Sequence, residues 1–128
     1  MNRADLILNV EDNHAARHAK TRLLLNAGFL AEEADNGIDA LAMVARLRPA
    51  LVLLDIKLPD ISGAEVCRRI KADPATSNVR VLQTSAALVS LNDEAIGLQS
   101  GADSYLAAPF EPSELIAKVR ALIADFHR

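Results

Sequence analysis

Short apolar runs alternate with longer amphipathic segments along the whole chain, and this alternation constrains the fold more than any other feature. Residues 51–54 (Leu-Val-Leu-Leu) form the clearest run, continuous and apolar as expected for a strand covered on both faces. Four further runs, at 6–10, 29–33, 79–83 and 105–106, predict strands. Helical spacing predicts helices over about 15–27, 40–47, 64–72 and 92–99, and from Pro112 to near the end of the chain.

Strands that alternate with helices in this way predict an α/β fold in which a five-stranded parallel sheet lies between layers made by five helices. The chain has 128 residues, with no linker, repeat or low-complexity segment. We therefore expect one doubly wound domain spanning 1–128.

Composition narrows the classes of function. The formal charge is −3 and only 3% of residues are aromatic. This balance argues against a protein that binds nucleic acid phosphates, stacks on bases or associates with an anionic membrane. The single cysteine, Cys67, excludes an internal disulfide framework and fits a reducing cytoplasm.

Carboxylates follow two of the strongest predicted strands. Glu11 and Asp12 come after the first strand, and Asp55 ends the third. If these strands are neighbours, the three carboxylates meet at one edge of the sheet, where a hard cation such as Mg²⁺ relieves their repulsion. A carboxylate beside Mg²⁺ can also act as a nucleophile toward a phosphoryl group. The alternative is that each acid is simply solvated at a strand end.

Two hydroxyl residues, Thr84 and Ser85, end the fourth predicted strand. Either one could donate a hydrogen bond to a phosphoryl oxygen at this edge of the sheet. Either could equally bond to nearby backbone.

The ordered set of these residues resembles the receiver domain of two-component response regulators over essentially the whole chain. The resemblance is carried by Glu11-Asp12, residues 51–55, Leu58-Pro59-Asp60 with Gly63, Ser85-Ala86, residues 101–103 with Tyr105, and Pro109-Phe110. It implies a CheY-like fold with strand order 2-1-3-4-5.

The resemblance also implies a role for individual residues. Asp55 corresponds to the phosphoacceptor, Asp12 to a direct Mg²⁺ ligand, Glu11 to a ligand acting through water, and the backbone carbonyl of Lys57 to a further ligand. Ser85, followed by the small Ala86, resembles the hydroxyl that senses the phosphoryl group. Tyr105 matches an aromatic residue that changes rotamer when the site is occupied, although a half-buried ring on a short strand is an equal alternative.

By resemblance, the function is phosphorelay signalling rather than enzymatic turnover of a small substrate. The phosphoryl group would come from a histidine kinase or a histidine phosphotransfer protein. A downstream protein would bind the face made by the fourth predicted helix, the fifth strand and the fifth helix.

One residue departs from the family pattern. The family normally carries a lysine directly before the Pro-Phe pair, and here that residue is Ala108. Its absence leaves more of the charge balance to Mg²⁺ and Ser85, and neither Lys57 nor His14 replaces it obviously. A degenerate receiver that binds partners without phosphorylation is therefore an alternative. An enzyme on the same fold is a weaker one, because the glycine fingerprints for nucleotides are absent and Lys57 stands where an aspartate-nucleophile phosphatase usually has a second aspartate.

Overall fold

The computed structural model describes residues 5–85, 95 and 99–128. Its five strands are β1 (Leu6–Val10), β2 (Leu30–Ala34), β3 (Leu51–Asp55), β4 (Arg80–Ser85) and β5 (Ser104–Ala107). Its helices are α1 (His14–Asn26), α2 (Gly37–Leu47), α3 (Gly63–Ala72) and α4 (Pro112–Phe126).

Four of the five predicted helices lie in the described part of the chain, and α4 corresponds to the predicted fifth helix. The predicted fourth helix, over 92–99, lies outside the described residues except at Ala95 and Gln99, which are both helical.

The five strands form one parallel sheet in the order β2-β1-β3-β4-β5, as predicted. β1 and β3 are neighbours, with Val10 opposite Leu54. β3 pairs next with β4, so that Asp55 lies opposite Thr84. Because all strands are parallel, their carboxyl ends meet at the same edge of the sheet.

A hydrophobic cluster fills each side of this sheet. On one side, α2 and α3 pack on the sheet through buried residues that include Val44, Val66 and Ile70. On the other side, α1 and α4 contribute Leu24 and Leu115 among others. None of the helices in the described ranges is long and apolar enough to cross a membrane.

Side-chain caps begin three of the helices and fix where each one leaves its loop. Asn13, Asn36 and Ser62 accept hydrogen bonds from the backbone N–H three residues later, at 2.8, 2.8 and 3.0 Å. These contacts satisfy N–H groups that the first turn of a helix leaves without partners. The cap at Asn13 is important for function because α1 starts directly after Glu11 and Asp12.

Helical spacing within 15–27 predicts that Ala16, Ala19, Leu23 and Ala27 share the inner face of α1, and this prediction is wrong in part. Ala16, Leu23 and Ala27 are half-buried, but Ala19 is exposed and the fully buried residue is Leu24. Two hydrogen bonds explain the difference. The buried Asn9 of β1 donates them to the backbone oxygen of Arg17 and to the hydroxyl of Thr21, at 2.9 and 3.0 Å. These contacts turn the face that carries Arg17 and Thr21 toward the sheet.

Candidate metal centre

Three carboxylates converge at the carboxyl edge of the sheet. Glu11 and Asp12 follow β1, and Asp55 is the last residue of the adjacent β3. One carboxylate oxygen from each of the three lies within 4.8 Å of the others. The register of two parallel strands is therefore sufficient to bring together the acids that the sequence separates by more than forty positions.

The three acids differ in exposure and in hydrogen bonding. Glu11 is buried, Asp55 is half-buried and Asp12 is exposed. The Glu11 carboxylate accepts the backbone N–H of Asn13 at 3.2 Å, and the Asp55 carboxylate accepts that of Lys57 at a long 3.4 Å. Several carboxylate oxygens thus remain available to a ligand that enters from solvent.

Burial and mutual repulsion separate the protonation behaviour of Asp55 and Glu11. Burial, followed by the negative charge of Glu11, raises the pKa of Asp55 to about 6. Burial also acts to raise the pKa of Glu11, but the ammonium of Lys20 and the hydrogen bonds from Lys20 and Asn13 outweigh it and lower that pKa. Glu11 is thus held as an anion, and the charge on Asp55 is the one that the site stabilises least.

A cleft of about 440 Å³ opens over these carboxylates. Thr84 and Ser85 from the end of β4 border it, as do Ala108 and Phe110 from the connection between β5 and α4. The hydroxyls of Thr84 and Ser85 are buried and have no hydrogen-bond partner within the described residues. Either hydroxyl could donate to a group that enters the cleft.

Lys57 and Tyr105 occupy different positions relative to the cleft. Lys57 is exposed at the rim, directly after β3. Tyr105 lies opposite Gln83 in the pairing of β4 with β5, and it is not among the described residues that line the cleft. Its hydroxyl is buried without a hydrogen-bond partner in those same parts of the chain.

Lys20 is a cleft residue that the sequence analysis missed. Its ammonium lies 3.0 Å from a carboxylate oxygen of Glu11, and its side chain is only 14% exposed. The helical spacing contained a signal for this position, because Lys20 lies one turn after Ala16, which also lines the cleft. Lys57 and His14 lie near the site in the sequence, and neither obviously replaces the lysine that the family carries where this chain has Ala108.

The loop after β3 is held by two residues that the family resemblance includes. The carboxylate of Asp60 accepts the backbone N–H groups of Gly37 and Ile38, both at 2.8 Å, and thereby caps α2. Gly63 donates its N–H to the carbonyl of Ile56 at 2.8 Å, and a Cβ at Gly63 would collide with the backbone carbonyl of Asp55. The loop is thus folded back tightly against the end of β3.

The donor set fits a hard divalent cation. Carboxylate and carbonyl oxygens are the preferred ligands of Mg²⁺, which commonly uses one or two protein carboxylates and retains several waters. Here the oxygens of three acids face one cleft, and burial together with the negative charge of Glu11 already raises the pKa of Asp55. Glu11, Asp12 and Asp55 are therefore suited to hold Mg²⁺.

The comparisons with known proteins agree on one family. Residues 7–120 match the family model described as the response regulator receiver domain. The chain is 40% identical over 117 residues to the response regulator MprA of Mycobacterium leprae, covering 91% of this chain and 50% of that protein. It is 42% identical over 115 residues to the DNA-binding response regulator MtrA of Mycobacterium tuberculosis, covering 90% of this chain and 49% of that protein.

A solved receiver-domain structure is also similar to this chain. It is the receiver domain of the sensor histidine kinase PA1611 from Pseudomonas aeruginosa, crystallised with a magnesium ion in its active-site cleft. The two chains superpose with a TM-score of 0.88 at 29% identity, over 95% of this chain and 99% of that one. The chain spans about half the length of the curated relatives named above and nearly all of this isolated domain.

Proposed function

Because the chain belongs to the response regulator receiver domain family, we propose that Asp55 is the phosphoacceptor of this receiver and that the reaction uses Mg²⁺. The observation that carries the proposal is the convergence of Glu11, Asp12 and Asp55 within 4.8 Å beneath an open cleft. A signalling domain of two-component systems needs such a site to take a phosphoryl group from a histidine kinase or a histidine phosphotransfer protein.

In this proposal each residue at the sheet edge has a distinct part. Glu11, Asp12, Asp55 and the Lys57 carbonyl hold Mg²⁺, which when bound supplies positive charge that offsets the repulsion between the acceptor and the incoming phosphoryl oxygens. Asp55 offers an oxygen to phosphorus. Ser85, whose hydroxyl has no hydrogen-bond partner within the described residues, donates that hydroxyl to a phosphoryl oxygen. Tyr105, which lies outside the cleft lining, responds to occupancy by changing rotamer.

We also propose that residues 1–128 act as one receiver domain in the cytoplasm. The output partner binds the face to which the 92–99 segment, β5 and α4 contribute. The expected absence of nucleic-acid binding is restricted to this domain, because MtrA, of which the chain covers 49%, is named as a DNA-binding regulator. Phosphorylation-independent binding is not favoured, since the acids and hydroxyls of the site are all present.

The test is intact-mass measurement after incubation with Mg²⁺ and acetyl phosphate. The wild-type protein should gain about 80 Da, the mass of one phosphoryl group. Asp55→Asn should not gain this mass. Asp125→Asn, which removes the same charge from the last turn of α4, should behave as the wild type. A wild-type protein without an adduct, or an Asp55→Asn variant with one, contradicts the assignment.

A further inference from the structure

A half-buried lysine faces the acidic cleft from α1. Lys20 is 14% exposed and forms an ion pair at 3.0 Å with Glu11, whose own side chain is 9% exposed. Among the described residues that line the cleft, the other cationic side chain is that of Lys57, which is exposed. Lys20 thus places a positive charge beside Glu11, in the cleft that Asp12 and Asp55 also line, with much less solvent screening than a surface lysine has.

Position 108 lies in the same cleft, at the connection between β5 and α4. Its alanine offers only a methyl group, so it supplies neither charge nor a hydrogen-bond donor. In the sheet order β2-β1-β3-β4-β5, Asp55 ends the central strand, β3. On one side of β3 lies β1, which leads into α1. On the other side lie β4 and β5, and β5 leads to Ala108. A cation on α1 therefore approaches Asp55 from the side opposite position 108.

The electrostatic effect of Lys20 reaches both Glu11 and Asp55. It lowers the pKa of Glu11 directly, and it also acts to lower that of Asp55, against burial and the repulsion from Glu11. An ammonium has three donors on a flexible stem, so it can contact Glu11 and a second anion in the same cleft. The ion pair with Glu11 is therefore compatible with a further contact to a ligand oxygen.

We propose that Lys20 is the phosphoryl-binding cation of this receiver and takes the place, from α1, of a basic residue at position 108. This inference rests on the proposed function, because it assigns a catalytic residue to the same phosphorylation site. In the step concerned, an oxygen of the Asp55 carboxylate bonds to phosphorus while the P–O bond to the acetate of acetyl phosphate breaks. The acetate leaves with the electron pair and needs no proton, and Lys20 binds a phosphoryl oxygen throughout.

Two measurable quantities should respond to Lys20 in opposite directions. Mg²⁺ must bind beside the Lys20 ammonium, so removing that charge should increase the affinity of the site for Mg²⁺. Phosphoryl transfer at saturating Mg²⁺ should become slower, because one cation fewer stabilises the charge on the phosphoryl oxygens. A lysine that served only to pair with Glu11 would change the first quantity and not the second.

The experiment compares Lys20→Met, the double variant Lys20→Met/Ala108→Lys and the wild type. Mg²⁺ affinity is measured by calorimetry, and adduct formation from acetyl phosphate is followed by intact mass. Lys20→Met should bind Mg²⁺ severalfold more tightly and form the adduct about tenfold more slowly, which equals about 1.4 kcal/mol. The double variant should recover most of the rate. Arg22→Met removes the same charge from an exposed position of α1 and should match the wild type.

Lys20→Gln provides a second variant because it keeps a hydrogen-bond donor for Glu11 if the methionine impairs folding. It too should be about tenfold slower. If the wild type is phosphorylated and either folded Lys20 variant reacts within about twofold of it, the role of Lys20 is refuted and the proposed function stands. If the wild type forms no adduct, both the proposed function and the role of Lys20 are refuted.

Discussion

Replacing Asp55 by asparagine should stabilise the metal-free protein at neutral pH. The pKa of Asp55 is raised from 3.8 to about 6 because burial and the charge of Glu11 both disfavour its anion. A shift of one pKa unit corresponds to about 1.4 kcal/mol, so the charge on Asp55 lowers the free energy of unfolding by at most about 3 kcal/mol at pH 7. Asp55 is half-buried, and solvent screening reduces this cost to about 1–2 kcal/mol.

The pH dependence of this effect has a definite sign. Below pH 3.8 Asp55 is protonated in both the folded and the unfolded states, so its contribution to stability is fully present. As the pH rises through about 6, the folded protein must ionise a carboxyl that resists ionisation, and that stability is lost. The advantage of Asp55→Asn should therefore be near zero at about pH 4 and largest at pH 7.

Thermal melts followed by circular dichroism in the presence of a chelator measure this difference. For a domain of this size, Asp55→Asn should melt about 4–8 °C above the wild type at pH 7. Asp125→Asn removes the same charge from the last turn of α4, where the side chain is 46% exposed, and should change stability by less than about 0.5 kcal/mol. Saturating Mg²⁺ should narrow the gap, since a cation beside Glu11 and Asp55 offsets their repulsion. An Asp55→Asn variant no more stable than the wild type at pH 7, with the control unchanged, would refute the reasoning.

Three further substitutions test the framework around the site. Gly63→Ala should displace the backbone at Asp55 and reduce stability by about 1–3 kcal/mol, because its Cβ would overlap that carbonyl; a denaturant midpoint equal to the wild type would contradict this. Asp60→Asn should lower the melting temperature at pH 6 by weakening the cap on α2, whose N–H groups lower the pKa of Asp60 to about 2. The difference in melting temperature between this variant and the wild type should shrink between about pH 4 and pH 2, because the wild-type Asp60 carboxylate also loses its charge there. A difference that stays constant over this range would argue against the cap. Asp103→Ala should lower the free energy of unfolding, measured in urea, by about 1–3 kcal/mol because it leaves the Val81 N–H without its side-chain acceptor. A decrease below about 0.5 kcal/mol would show that water replaces the carboxylate.

The edge of the sheet that carries the acids could be predicted from local patterns, whereas the neighbouring position of their two strands was implied by the family resemblance. The apolar run that ends at Asp55, and the one that ends before Glu11, predict two buried parallel strands, and such strands present their carboxyl ends at one edge of the sheet. Helical spacing within 64–72 also predicts an inner row that includes Val66, Cys67 and Ile70, and all three are buried. For these strands and for α3, the apolar spacing within the element is sufficient to predict which residues are buried.

Other features depended on contacts between distant segments. The face that α1 turns to the sheet is set by hydrogen bonds from the buried Asn9 to Arg17 and Thr21, so a prediction from apolar spacing alone misplaced it. Asp60 caps a helix that begins 23 residues earlier in the chain. Neither contact leaves a pattern within one segment.

The sequence by itself determined the alternation of strands and helices, and with it the edge of the sheet at which Glu11, Asp12 and Asp55 collect. Hydrophobic periodicity specifies this because burial of apolar faces depends on spacing within each element. The charge balance of the site was decided by tertiary structure. Lys20 meets Glu11 because α1 packs on the sheet in one particular rotation, and the strength of an ion pair depends on distance and burial, which a count of charges does not contain.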